Sequence, residues 1–331
     1  MTSKDNKAEG PIDRRTFIKR AAITGSAVLG TGIWGYVFYS DTPVRESIEK
    51  IYTFKDFRPA ASSLYPVLAV SRGTDVEQMV RGAVEKLGGM SRFITPGDSV
   101  LIKPNAAWDR QPEQAANTNP LVVAAVVKLC IEARASSVMV TDVSINDPYR
   151  TFSRSGIEKA TLETGGKILY PSDNDFVQTD MKGELLKVWP VFAHYHKVNK
   201  VINVPALKHH SLSKATLSMK NWYGVLGGRR NQLHQDINTS IADLASAVRP
   251  TLTVMDATRV LKRNGPTGGN LSDVSIENTI MAGLDEVAID SWALQFLDLK
   301  ADDIPYLKMG EERGIGMRDW KSLNVAEIQL G

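Results

Sequence analysis

All five histidines of this chain, His194, His196, His209, His210 and His234, fall between residues 194 and 234. Every side chain whose ordinary pKa lies near neutral is therefore committed to one neighbourhood. At its centre Val201 to Gly228 reads VINVPALKHHSLSKATLSMKNWYGVLGG. Lys208, His209 and His210 follow an apolar run, and Lys220 and Asn221 interrupt an otherwise apolar segment. A lysine among apolar neighbours needs a partner or a ligand. These residue types suit proton transfer by His209 or His210, with Lys208 and Lys220 clamping a carboxylate or phosphate and Lys220 counted with the catalytic group. A solvated basic loop is the plain alternative for Lys208 to His210.

Such a set has to be positioned by regular elements. Val201, Ile202 and Val204 form a β-branched run closed by Pro205, a buried strand whose carboxyl end opens on a ligand crevice. Lys208 to Ser213 then reads as a polar loop and Thr216 to Tyr223 as a helix. Upstream, Tyr65 to Ser71 reads as a strand, Val76 to Leu87 carries a helical stripe ended by Gly88 and Gly89, and Ser99 to Lys103 is a second strand. Thr118, Asn119 and Pro120 suit the start of a helix over Leu121 to Ala133, followed by a strand over Ser137 to Thr141. Strands over Lys167 to Tyr170, Thr251 to Asp256, Thr279 to Ala282 and Asn324 to Gln329, with helices over Ile237 to Val248 and Leu284 to Leu297, continue the alternation. The class is α/β, with a mixed, largely parallel sheet and helices on both faces.

Further polar residues arrive at predicted strand ends. Lys103 and Asn105 fit substrate binding, though Lys103 fits an ordinary surface position equally. Asp142, Asp256 and Asp290 would hold a divalent metal with an imidazole, or orient other groups; turn and cap roles account for them as well. The loop Asn264 to Asn270, NGPTGGN, brings Gly268 and its backbone towards a ligand, yet lacks the spacing of a phosphate loop. His194 and His196 alternate about Tyr195 and would share one face of an edge strand.

The pattern VPALKHHSLSKATLSMKNWYG closely resembles the signature of the domain-of-unknown-function 362 family: a strand, Lys-x-His, Thr, then Lys-Asn-x-x-Gly. The likeness extends to KPN at Lys103 to Asn105, TNP at Thr118 to Pro120, Thr141-Asp142, SGI at Ser155 to Ile157, GPTGG at Gly265 to Gly269 and the Asp-x-x-Ala-x-Asp element at Asp285 to Asp290. It spans about residues 65 to 330 and implies a family without implying a reaction. By analogy of fold the family is similar to nickel-dependent lactate racemases, but Lys-Asn-x-x-Gly is not a racemase motif and fold does not transfer function.

Residues 1–40 read as a targeting segment. Asp13-Arg14-Arg15-Thr16-Phe17-Ile18-Lys19 resembles a twin-arginine signal, and Ala21 to Tyr39 behind it is uncharged and weakly apolar. An ordinary membrane anchor is the other reading. The run is as long as a minimal spanning helix and no clear cleavage site follows it, so the membrane is met only through this segment, and the export machinery is the expected partner. The location expected is the periplasm or the outer face of the membrane. Residues 41–64 read as a linker and 65–330 as the α/β domain. A net charge of +3, drawn partly from the N-terminus, gives no basis for nucleic-acid binding. The single cysteine, Cys130, excludes an internal disulfide and a four-cysteine iron–sulfur cluster of the chain's own. Three functions remain open: an exported enzyme acting on a small anionic ligand, with or without a metal or cofactor; a non-catalytic binding or maturation protein for an exported redox partner; and a docking surface for another protein formed by the basic cluster.

Overall fold

A computed structural model describes residues 50–331; the expected signal and the first part of the expected linker lie outside them. In chain order the strands are β1 (Tyr52–Thr53), β2 (Leu68–Arg72), β3 (Ser99–Pro104), β4 (Ser137–Val140), β5 (Lys167–Ile168), β6 (Phe176–Asp180) and β7 (Val188–Phe192). They continue with β8 (Lys200–Val204), β9 (Ala206–His210), β10 (Lys214–Thr216), β11 (Leu252–Leu261), β12 (Val274–Gly283) and β13 (Val325–Gln329). The described helices are α1 (Val76–Lys86), α2 (Pro120–Glu132), α3 (Pro148–Arg154), α4 (Ile157–Glu163), α5 (Ser218–Asn221), α6 (Ile237–Ala247), α7 (Glu286–Ala293) and α8 (Pro305–Glu312).

The main sheet runs β13-β2-β12-β11-β8-β3-β4-β5. All its neighbours are parallel except the two pairings made by β12. Side chains alternate between two cores, as the pleat requires. Val100, Ile102, Ile202 and Val254 pack with Met79, Val80 and Val126 of α1 and α2. Leu101, Val201 and Met255 pack with Ile241 and Leu244 of α6 and with Val287 of α7. Helices thus cover both faces, in agreement with the sequence. The same alternation places Lys103 and Asn203 on the α6–α7 side at the strand ends, where the apolar run gives way to the site.

Three segments depart from expectation. Pro205 does end the pairing of β8, but its carbonyl accepts from Asp256 N at 2.9 Å and the chain stays extended, borrowing the edge of the ten-residue β11. Lys208 to His210 are therefore strand, not loop, and β9 folds back antiparallel on β10 with Lys208 opposite Thr216 and His210 opposite Lys214. His194 and His196 sit in a 3-10 turn, Ala193–His196, instead of an edge strand. Within the expected linker, β1 pairs with β6 in a second sheet, β1-β6-β7, and the buried Phe57 is tied down by Phe57 N to Arg249 O at 3.0 Å and Thr251 Oγ1 to Phe57 O at 2.9 Å. No described helix is long and apolar enough to cross a membrane.

Candidate functional site

Beyond the carboxyl ends of β3 and β4 lies a cavity of about 590 Å³, a size suited to a cofactor or other drug-sized ligand. β3 supplies Lys103 and, just past it, Asn105; Asp142 follows β4; β9 supplies Lys208 and His210; α5 supplies Lys220 and Asn221. Tyr223, Gly224, Arg230 and His234 come from the segment after α5, with Trp108 and Pro266–Thr267 completing the wall. Among these residues Asp142 is the single carboxylate, against Lys103, Lys208, Lys220 and Arg230.

The floor is a closed polar network. Lys103 Nζ donates to Asp142 Oδ1 at 2.7 Å, to Pro104 O at 2.9 Å and to Asn221 Oδ1 at 3.2 Å. Burial lowers the Lys103 pKa from its ordinary value, with Asp142 opposing, and the three acceptors hold the ammonium. Asp142 Oδ2 takes Ala106 N at 2.7 Å. Asn221 Oδ1 also accepts from Asn105 Nδ2 at 2.9 Å, and Asn221 Nδ2 donates to Asn203 Oδ1 at 2.8 Å. Asn203 Nδ2 reaches Glu286 Oε1 at 2.6 Å, and Trp222 Nε1 reaches Glu286 Oε2 at 3.0 Å. Burial raises the Glu286 pKa, and these donors satisfy its carboxylate in the interior. Gly224 is what lets the backbone approach: a Cβ there would sit 1.8 Å from Asp142 Oδ1 and 2.5 Å from Lys103 Nζ.

The wall is incomplete. Lys208 Nζ donates to Asn105 Oδ1 at 2.9 Å and to the Ala116 carbonyl and has no carboxylate; burial, then Lys220, bring its pKa to about 7. Lys220 lies 4.5 Å over the Tyr223 ring, 7% exposed, and among the described residues its Nζ has no hydrogen-bond or ion-pair partner. Burial, then Arg230, bring its pKa to about 7 as well. Among the described residues Arg230 is steadied only by carbonyls, Nη1 on Tyr223 O at 3.2 Å and Nη2 on Ser144 O at 2.8 Å, and burial lowers its pKa. A cation left without a counter-ion in a buried cavity is disfavoured until an anion arrives.

The two cavity histidines are fixed in opposite senses. His210 Nδ1 accepts from Leu212 N at 3.1 Å and Ser213 N at 3.3 Å, so its proton rests on Nε2. Burial, then Lys220 and Lys208, push its pKa down to about 2. His234 Nδ1 lies 3.1 Å from Asn231 O; a carbonyl can only accept, so Nδ1 carries the proton and Nε2 keeps its lone pair. Burial, then Lys220, lower its pKa too.

Of the residues picked from sequence, Lys103, Asn105, Lys208, His210, Lys220, Asn221 and Asp142 meet in this cavity. His209 does not: strand alternation turns it to the other side of β9, where its Nδ1 accepts from Gly265 N at 3.2 Å. Gly268 is also outside the lining, at φ +57 beside Leu261, although Pro266 and Thr267 of its loop belong to it. The three proposed metal carboxylates do not converge. Asp256 accepts from Asn119 N at 2.7 Å and Thr258 Oγ1 at 2.7 Å, fixing the start of α2. Asp290 accepts from Ser218 N at 2.8 Å, Met219 N at 3.1 Å and the Ser218 hydroxyl, fixing the start of α5. No cluster of three His, Cys, Asp or Glu able to hold a metal occurs among the described residues. Both aspartates are positioning groups; burial raises the pKa of each, and at Asp290 the nearby Glu286 raises it further. Thr118 is likewise not a cap: Asn119 caps α2 while Thr118 joins Asn105 N to Val204 O.

Sequence reasoning passed over Arg230, His234, Tyr223 and Glu286. The basic GGRRN stretch was a signal for Arg230, and the histidine cluster one for His234. Glu286 stands beside Asp285 at the start of a helix and looks like a first-turn acid; only the register of α7 turns it inward.

Fold and site together define a mixed α/β protein with a buried, cation-rich ligand cavity at a sheet edge. The chain belongs to the family described as domain of unknown function DUF362, whose sequence model matches residues 100–295. It is 28% identical over 253 residues to the thylakoid-associated protein sll1697 of Synechocystis sp. (strain ATCC 27184 / PCC 6803 / Kazusa), covering 71% of this chain and 74% of that protein. Among solved structures, the lactate racemase apoprotein from Thermoanaerobacterium thermosaccharolyticum matches with a TM-score of 0.40 and 11% identity over 75% of this chain. The matched part of this chain spans 61% of that protein's length.

Proposed function

We propose that this protein is an enzyme that binds a small anionic substrate in the cavity and moves a proton on it through Lys220. One observation carries this reading: a buried, cavity-facing ammonium with no acceptor among the described residues, beside a second lysine and an arginine that, among those residues, also lack a carboxylate. Lys208 and Arg230 would take the anion, and the Nε2 proton of His210 would steady a developing oxyanion. Lys220, poised near neutral, is matched to general acid or base work. His210 Nδ1 is occupied by two backbone N–H groups and burial lowers its pKa, so the acid/base role expected of His209 or His210 passes to Lys220, with His234 Nε2 as a second acceptor.

The test is a panel of acetate, succinate, citrate, inorganic phosphate and phosphoenolpyruvate, scored by thermal shift and calorimetry on the full chain. At least one should bind in wild type and weaken tenfold or more in Arg230→Met and Lys220→Met. Failure of every anion to bind would sink the reading. We further propose export by the twin-arginine route, supported by Arg14-Arg15 and the weakly apolar run behind it; a relative named for thylakoid association is in keeping with a membrane-side location. Export of a reporter fusion that survives Arg14→Lys/Arg15→Lys would rule that route out.

A further inference from the structure

Three features of the cavity point past simple anion binding. Lys220 Nζ meets the cavity unpaired, above the face of Tyr223 at 4.5 Å. Its helix is anchored from behind by Asp290 through Ser218 and Met219, so the amine is held in place without being consumed by a partner. Around it stand one imidazole with a free lone pair, His234 Nε2, and one with a free N–H, His210 Nε2. An amine nucleophile, a proton acceptor and a proton donor in one enclosed space are the requirements for condensation with a carbonyl group.

We propose that Lys220 forms an imine with a small aldehyde or ketone that carries a carboxylate or phosphate. This deepens the preceding reading and rests on it for the anion clamp of Lys208 and Arg230. In the step, the neutral amine adds to the carbonyl carbon, and the C–O π bond breaks to an alkoxide that His210 Nε2–H stabilises. His234 Nε2 takes a nitrogen proton from the addition product and returns it to the alkoxide oxygen, giving the carbinolamine. A second nitrogen proton follows the same route to that oxygen, which leaves as water as the C=N bond forms; both amine hydrogens depart with it, and nothing is oxidised or reduced. Burial and Arg230 bring Lys220 to about pKa 7, so far more of it is neutral at pH 7 than the roughly one part in 2,500 of an ordinary lysine.

The experiment incubates the full chain with glyoxylate, pyruvate or dihydroxyacetone phosphate, then adds borohydride, which converts an imine to a stable secondary amine. Intact-mass and peptide mapping read stoichiometry and position. Affinities for the same three compounds are measured in parallel without reductant. The expected result is close to one adduct per chain, on Lys220, falling at least tenfold in Lys220→Met. Preference for the first two probes identifies a carboxylate ligand, and preference for the third a phosphate. Binding of any probe without an adduct overturns the imine and leaves the anion cavity standing. Adducts mapping to Lys208 or to surface lysines overturn it as well, a result readable in wild type even if Lys220→Met does not fold. Absence of both binding and adduct removes this proposal together with the reading beneath it.

Discussion

Lys103 and Lys220 face the same cavity and both are buried, yet the fold treats them oppositely. Lys103 has three acceptors including Asp142, and Lys220 has none among the described residues. Lys103 sits at the end of a central strand flanked by β4 and β8, whereas Lys220 rides on the four-residue α5, held through Asp290. The first arrangement is a structural ion pair, whose loss leaves a buried charge uncompensated. The second keeps a buried charge in want of a counter-ion, which costs stability in the empty site and is offset when an anion binds.

The strongest way to break this contrast is at the floor. Gly224→Ala drives a methyl group onto both members of the pair, and Asp142→Ala strands the Lys103 ammonium. Each should cost about 3–5 kcal/mol of unfolding free energy, measured by chemical denaturation. A loss below about 1 kcal/mol would show that the pair is not what holds the floor. Next comes the support of the wall. Asp290→Ala frees three donors at the start of α5 and should cost about 1–3 kcal/mol. It should also weaken binding of whichever panel anion binds best, because Lys220 and Asn221 lose their aim; stability lost with anion affinity intact would make Asp290 structural only.

Lys220→Met sharpens the comparison from the other side. It removes an unpaired buried cation and keeps most of the volume, so stability should hold or rise while anion affinity falls about tenfold, or about 1.4 kcal/mol. Its pH signature is distinct. With folded pKa values near 7 for Lys208 and Lys220 and unfolded values near 10.4, the unfolded chain binds more protons between those limits. Wild-type stability therefore gains from these two groups as pH rises from about 7 to 10, and Lys220→Met should flatten that rise. An identical slope in the variant would mean that Lys220 titrates normally.

What could be read from the sequence divides along the same line. The sheet was legible because its strands are apolar runs with clear stops, as in Ser99 to Lys103 and Val201 to Val204, and Lys103, Asn105, Lys208 and His210 at those stops reach one cavity while His209 does not. Pairwise choices were not legible. Whether His209 or His210 faces the ligand depends on one residue of register in β9, and that register comes from β11, some fifty residues away in the chain. Asp142, Asp256 and Asp290 look alike in sequence, since each follows or interrupts an apolar segment. Their separate roles follow from which donors happen to lie beside them, namely a lysine for Asp142, backbone and hydroxyl groups for Asp256 and Asp290. Glu286 was hidden for the same reason: a first-turn acid turns inward only because Asn203, Thr253 and Trp222 wait there.

The smallest effect tests one of the two imidazoles that sequence cast as the acid/base group. His210 has a folded pKa near 2 because it is buried beside Lys220 and Lys208, and its Nδ1 is occupied by two backbone N–H groups. In the unfolded chain it titrates near 6.5. Between those values the unfolded state binds a proton that the folded state refuses, so stability is lost as pH falls through 6.5, by about 1.4 kcal/mol at pH 5.5. His210→Gln can still accept from the backbone but cannot take up that proton. Acid unfolding of the variant should therefore begin at lower pH than in wild type, with stability at pH 8 little changed. Coincident acid limbs would mean that His210 is protonated in the folded protein, and it would then join Lys220 and His234 as an acid/base candidate.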